Sequence, residues 1–373
     1  MRLCPPLSFP CCEEGSPSSL KGVKDLCRKV FSLGHSLYTL RVAKIHIPSA
    51  KDFYSDIYSH SWCWIVKSTF WPYSKDPYEI FELLIEDPRM TKLQMARRFK
   101  VNPNTLVTWW NSAIDNRIIL LPIFRRKSFK NFREFFYFLK TEDPHKLFEV
   151  LQIQDLPISY FSVQTGFCNF QIVAKEPIEP RGEVALSGER SDYFVTVPPK
   201  REFRESVRRI DAMLRNLDVL KPRKSPLKYR DEEYTPWDEK DEAIYWEICN
   251  NLRIPFASVV QSAKTYNDKA WAWFRNREEF GDTMTFFFPR GESAYIPSLY
   301  VIDTNHDSLL IDIFSQLPAT TVFYRIGGKV LMLAYLPFTS EGRSIVRKTL
   351  SILEKEELVT GYTNSIIEYH YRF

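Results

Sequence analysis

Seven basic residues, Arg97, Arg98, Lys100, Arg117, Arg125, Arg126 and Lys127, surround a run that reads "NPNTLVTWWNSA". Residues 89–130 hold ten Lys or Arg against one acid, Asp115, a net of +9 in a 373-residue chain whose total is +5. Cations at that density suit the phosphates of a polyanion. Between them, Asn104, Thr105, Thr108 and Asn111 fall on the polar side of a helical pattern whose other side is Leu106, Trp110 and Ala113. Small side chains that donate and accept hydrogen bonds are what a helix uses on base edges in a major groove. These residues point to double-stranded DNA as the partner, with Arg97, Arg98, Lys100 and Arg117 on phosphates and Arg125, Arg126 and Lys127 on a wing beside the helix.

Other chemistries find less support in the sequence. His145 and His306 each stand at the start of a predicted helix and are the histidines to consider for catalysis; His35, His46, His60 and His370 form no ligand-spaced pair. No Ser-His-Asp set or carboxylate cluster stands out. The seven cysteines include no C-x-x-C, so no zinc ribbon is expected. Twelve glycines include neither a G-x-G-x-x-G nor a P-loop. The reading at this level is a non-enzymatic chain with no cofactor and no metal. No apolar run reaches the roughly 18 residues of a membrane span, and the scattered thiols fit a reduced, cytoplasmic protein.

Three short helices must position the basic cluster. The first, "PYEIFELLI", turns Ile80, Phe81, Leu84 and Ile85 inward. The second, "KLQMARRF", starts at a Thr91 cap and buries Leu93, Ala96 and Phe99. The third is capped by Asn102 or Asn104, has Pro103 in its first turn, and ends near Asn116, the best left-handed substitute for a terminal glycine. Trp110 has the phase of a core residue and Trp109 lies at its boundary. "IILLPIFRRKSFKNF" predicts a two-stranded wing.

From residue 76 onward the pattern occurs twice. Trp109 and Trp271 in the third helices are 162 residues apart, and so are Gly166 and Gly328 at two hairpin turns. The offset falls to about 139 at the last helices, which places an inserted loop or hairpin near residues 176–197. The helical segment of the second copy, residues 238–280, has eight acids against six bases, so it lacks the polyanion signature and suits a protein partner instead. The expected organisation is a disordered extension (1–18), a segment of unassigned fold (19–75), a winged helix-turn-helix (76–131) with a sheet domain (132–230), then a degenerate helix-turn-helix (236–291) with a second sheet domain (292–373).

"DPRMTKLQMARRFKVNPNTLVTWWNSAIDNRII" resembles the winged helix-turn-helix of the Lrp/AsnC (leucine-responsive, feast/famine) regulators. Met95-Ala96 stands for the family's Leu-Ala pair, Asn102-Pro103-Asn104-Thr105-Leu106 for its Ser-Pro-x-Thr-Val helix start, and Ile118-Ile119 for its closing Val-Ile. The resemblance implies an α+β fold: two winged helix-turn-helix units, each followed by a ferredoxin-like βαββαβ domain. It further implies a DNA-binding transcription regulator whose two sheet domains pair face to face as an intramolecular pseudo-dimer, alone or in a homodimer, with room for a small-molecule effector at their interface. Thr108 and Trp109 stand where the family usually has arginines, and "IGGKVLMLAY" lacks the acid of the family's effector hairpin. Tandem folds of this kind also occur in the sirohaem decarboxylases, so the alternatives are a tetrapyrrole-binding enzyme and a protein-interaction scaffold.

Overall fold

The computed structural model describes residues 76–373 apart from Asp155, Lys221, Pro222 and Phe373. The expectations for residues 1–75, with five of the seven cysteines and His35, His46 and His60, lie outside the described residues. The chain runs α1 (Pro77–Glu86), α2 (Lys92–Phe99), α3 (Pro103–Asp115), β1 (Ile119–Arg126), β2 (Phe135–Lys140), α4 (Pro144–Ile153), β3 (Ile158–Gly166), β4 (Phe170–Ala174), β5 (Glu183–Glu189), β6 (Phe194–Val195) and α5 (Phe203–Leu214). It continues with α6 (Glu239–Ile248), α7 (Phe256–Ser262), α8 (Asn267–Phe280), β7 (Gly281–Phe287), β8 (Tyr295–Asp303), α9 (Asp307–Phe314), β9 (Val322–Ile326), β10 (Lys329–Pro337), α10 (Ser340–Lys355) and β11 (Gly361–Arg372).

Local chemistry starts the first helices as the sequence predicts. The Thr91 hydroxyl accepts from the Gln94 amide while the Gln94 side chain accepts from the Thr91 amide, a capping box. Asn102 Oδ1 accepts from the Asn104 amide and Pro103 opens α3. Leu106, Trp109, Trp110 and Ala113 are buried. The inward faces are rotated from expectation. Ile85 and Leu93 are 43% and 49% exposed, and Leu83 and Met95 take the buried places. Asn116 is not left-handed; Arg117, at φ 51°, makes that turn.

The two helical triplets dock on each other through a reciprocal pair of arginines. Arg89 donates to the carbonyls of Leu252 and Ile254, which flank Arg253; Arg253 donates to those of Pro88 and Met90, which flank Arg89. Arg89 lies 4.4 Å over the Phe274 ring and Arg253 4.7 Å over Trp110. The same contact made twice in opposite senses is the mark of an interface with two-fold character. The expected wing hairpin is absent. β1 pairs antiparallel with β7 of the second copy, Ile119 facing Phe287 and Arg126 facing Gly281.

The remaining strands form one antiparallel sheet in the order β5-β2-β4-β3-β11-β8-β10-β9-β6. The second half, β11-β8-β10-β9, sets its fourth strand beside its first, the ferredoxin-like order. The first half repeats that order, but its outer place is held by β5, which enters directly from β4. The halves join edge to edge through β3 and β11 rather than face to face. Segment 183–195 then does what an inserted hairpin would not: β5 pairs with β2, Arg190 bridges Ile326, and β6 pairs with β9. The two ends of the sheet meet at Arg190 and β6, while the outer edge of β5 before Arg190 has no ladder partner among the described residues.

Closure gives the strands an inside and an outside, and the sequence alternates accordingly. On β8, Leu299 and Val301 point in while Tyr300 and Ile302 point out; on β10, Leu331 points in while Val330 and Met332 point out. The outer face of the second half packs under α5, α9 and α10, and that of the first half under α4. Gly166 makes the β3–β11 junction possible. Its φ is +147°, and a Cβ there would stand 2.2 Å from the Asn364 carbonyl oxygen. Gly166→Ala is expected to cost about 1–3 kcal/mol, the usual toll of overpacking, read as a lowered urea midpoint. An unchanged midpoint would show that the junction yields freely.

Candidate ligand cavity

A cavity of about 310 Å³ lies between the inner face of the closed sheet and the β1–β7 ladder, with the end of α6 at its side. Apolar walls come from Ile123, Phe136, Met284, Phe286, Leu299 and Leu333; Tyr160, Tyr193, Tyr324, Tyr335 and Trp246 add rings with polar tips. Few polar groups among many apolar ones is the usual make-up of a small-molecule site.

A bulge in β11 puts charge into this cavity. Ile367 pairs with Gln164 and Tyr369 with Val163, so Glu368 is an extra residue on that strand. Without it, Ile367, Tyr369 and Tyr371 would share one face. With it, Ile367, His370 and Arg372 all line the cavity, while Tyr369 packs on Phe148 and Tyr371 on Phe161 under α4. His370 stacks on Tyr160 with ring centroids 5.6 Å apart, and Arg372 lies 5.4 Å from the same ring.

The cations are not balanced. Glu134 pairs with Arg190 (Nε to Oε2, 2.8 Å), and Glu292 pairs with Arg117 at the rim, where the arginine side chain is 60% exposed. Arg125 donates to the carbonyls of Phe124 (2.8 Å) and Cys249 (2.6 Å) and to Asn250 Oδ1 (3.2 Å), but has no carboxylate within ion-pair distance among the described residues. Neither has Arg372. Desolvation and then its neighbour Arg125 hold the Arg372 pKa below the ordinary arginine range. Desolvation, followed by Arg372, lowers that of His370, which is therefore neutral at neutral pH. Burial pushes the Tyr193 hydroxyl up to about 12 and raises those of Tyr160, Tyr324 and Tyr335, so all four stay protonated. Burial would raise the Glu134 pKa as well, but Arg190, with Arg125 and Arg126, outweighs it and holds the carboxyl low.

The residues assigned to DNA are divided by the fold. Arg97, Lys100, Asn104, Thr108 and Asn111 stand exposed on α2 and α3 and Thr105 is half-buried. Arg98 pairs with Glu86, and Thr108 turns its hydroxyl to the Asn104 carbonyl (3.1 Å) in its own helix. The supposed wing residues are consumed inside the molecule. Arg125 is buried beneath the second copy. Arg126 pairs with Glu242 at 2.6 Å and lies 4.2 Å over the Tyr245 ring. Lys127 donates to the Glu278 carbonyl and lies 3.7 Å from Asp282. Arg117 is held by Glu292. The polyanion partner of the basic cluster is thus in part the acidic second copy, whose Glu242 also takes the indole N–H groups of Trp237 and Trp246. The DNA-regulator expectation is corrected on these contacts: the wing strand is paired with β7, and Arg125, Arg126 and Lys127 are engaged within the chain.

His145 and His306 are not in the cavity. His145 hydrogen-bonds Tyr369 on the outer face, and His306 stands at the N-cap position of α9 without a side-chain capping bond. The histidine that does line it, His370, carries no motif; its signal is the alternation of "EYHYR" beyond the bulge, which a sequence without its pairing register does not reveal. Tyr245, Trp246, Cys249 and Asn250 were equally unmarked, because they reach the cavity from the end of a helix read as part of a degenerate domain.

No protein-family model matches the chain, and no curated protein matches it. Among solved structures, siroheme decarboxylase NirDL in co-complex with an iron-uroporphyrin III analogue is similar at 11% identity and a TM-score of 0.40, over 78% of this chain and 92% of that one. Siroheme decarboxylase NirDL is similar at 12% identity and a TM-score of 0.39, over 80% and 87%. Both are structures of an enzyme, whereas the sequence led to the expectation of a non-catalytic partner of double-stranded DNA. Among the described residues no helix is long and apolar enough to cross a membrane.

Proposed function

We propose that the closed sheet binds a planar, carboxylate-bearing ligand of the tetrapyrrole class and acts on it as an enzyme, in a cytoplasmic setting that suits the free thiols of Cys168 and Cys249. The observation that carries this reading is the pair of guanidiniums, Arg125 and Arg372, without carboxylate partners among the described residues in an aromatic-walled cavity. A desolvated cation is costly unless an anion completes it, and flat aromatic walls favour a flat ring between them. At about 310 Å³ the cavity is at the small end of ligand sites, so a macrocycle would be held in part, with the remainder at the open rim. If a carboxyl group is lost from such a ligand, the carbon left behind must gain a proton. The walls offer His370 and the protonated hydroxyls of Tyr160, Tyr193 and Tyr335 for that exchange.

The test is titration of the chain with uroporphyrin III and with its iron complex, followed by the porphyrin absorbance band and by quenching of protein fluorescence. Saturable binding at one ligand per chain is expected. Siroheme is then incubated with the protein and the products are weighed by mass spectrometry for loss of carbon dioxide. Absence of saturable binding by both porphyrins would sink the reading; binding without turnover would leave a carrier.

A further inference from the structure

We infer that His370, which lines the cavity beside Arg372, is a proton-linked contact for the ligand's carboxylates and takes up one proton from solvent when an anionic ligand enters. The inference rests on the proposed binding of such a ligand and adds how that site responds to pH.

The geometry carries it. On its own strand His370 has Arg372 two residues away on the same face. From β3, Tyr160 lies flat against its ring. From the turn before β1 comes Arg117, and from the short helical turn at residues 292–294 comes Glu292, tied to each other at the rim. Tyr335 of β10 lies in the same neighbourhood, with its hydroxyl protonated. The histidine therefore faces two arginines, one carboxylate already paired with one of them, and two neutral tyrosines. Burial and the two arginines outweigh the one group in that set that favours an imidazolium, Glu292. A ligand carboxylate drawn in by Arg372 reverses the balance, because it supplies negative charge at short range in a cavity where charges are poorly screened. The proton moves from bulk water to the imidazole, and no other bond changes.

The thermodynamic consequence has a definite sign. Between the free and bound pKa values of His370, binding consumes about one proton, so affinity falls about tenfold per unit rise in pH. Above the bound pKa and below the free one, affinity is flat with respect to this group. The experiment is calorimetric titration of the full chain with uroporphyrin III between pH 6 and 8, in phosphate and in Tris, whose ionisation heats differ. The apparent enthalpy is expected to depend on the buffer with uptake of about one proton per ligand. His370→Gln is expected to abolish that dependence and to flatten the pH profile, while near-ultraviolet circular dichroism shows its fold intact. Tight binding with no buffer dependence overturns the inference and leaves the binding site standing. Buffer dependence that persists in His370→Gln assigns the proton elsewhere and also overturns it. Failure of the wild-type chain to bind at any pH removes the proposed function, and this inference with it.

Discussion

Arg372→Met is expected to cost the chain its hold on a carboxylate ligand and to leave the fold as stable as before, or more so. A hydrogen bond to a charged group contributes about 1.5–3 kcal/mol, so affinity for uroporphyrin III should fall by about 10- to 100-fold. The fold gives up little. Arg372 has no ion pair among the described residues, and burial together with Arg125 disfavours its charge. Methionine keeps the apolar stem against Tyr160 and removes the cation. A functional group that is costly to the folded state is the expected signature of a binding site. Porphyrin titration and a thermal melt on the same preparation check both halves. Lower affinity with an unchanged or higher melting temperature supports the assignment. A fall in melting temperature together with the affinity would make Arg372 a structural residue, and unchanged affinity would remove it from the site. Arg372→Lys separates charge from geometry: it retains the cation but not the planar fork that can grip a carboxylate with two bonds.

Much of the scaffold was legible because short-range chemistry determines it. The capping box at Thr91, the Asn102 cap and the buried Trp110 follow from local spacing. The two hairpins around Gly166 and Gly328 follow from period-two alternation broken by glycine. What the sequence did not disclose is long-range pairing. "ILLPIFRR" forms a strand as expected, but whether it folds back as a wing or crosses to β7 depends on residues more than 150 positions away. The charge count was right and its meaning was not, since a net of +9 beside an acidic copy is as well satisfied within the chain as by DNA. Arg126 on Glu242 and Lys127 beside Asp282 are that satisfaction. The candidate site was hidden for a related reason. Its polar residues, Arg125, His370 and Arg372, are scattered along the chain, and a bulge of one residue decides which face two of them occupy.

The seam that closes the sheet is expected to fail when Arg190 is truncated, and to fail most at neutral pH. Arg190 is 2% exposed. It donates to Glu134 Oε2 at 2.8 Å, to the Arg126 carbonyl at 2.9 Å and to the Ser191 carbonyl, and lies 4.1 Å from the Tyr193 ring. Its backbone also bridges to Ile326, so one residue ties β2, the β1 end and β9 together. Arg190→Met leaves Glu134 buried without its hydrogen-bonded cation, a loss of about 3–5 kcal/mol. The pH dependence has a fixed sign. In the wild type, Arg190 with Arg125 and Arg126 holds the Glu134 pKa below its unfolded value of about 4.3. The resulting stability is present above that value and is lost as pH falls through the folded pKa. In Arg190→Met, burial dominates and the carboxyl protonates more readily, so the penalty relative to wild type should shrink as pH falls toward 4. Glu134→Gln in the Arg190→Met background should recover part of the loss at pH 7, because it removes the stranded charge. Denaturant melts of the wild type, Arg190→Met, Glu134→Gln and the double variant at two pH values give the coupling between the two sites. A cost below about 1 kcal/mol at pH 7, or one that grows on acidification, would mean that closure does not depend on this pair. Because Glu134, Tyr193 and Tyr324 line the cavity from the seam, a real opening there should weaken porphyrin binding in step with stability. The Arg372 variant should separate those two quantities.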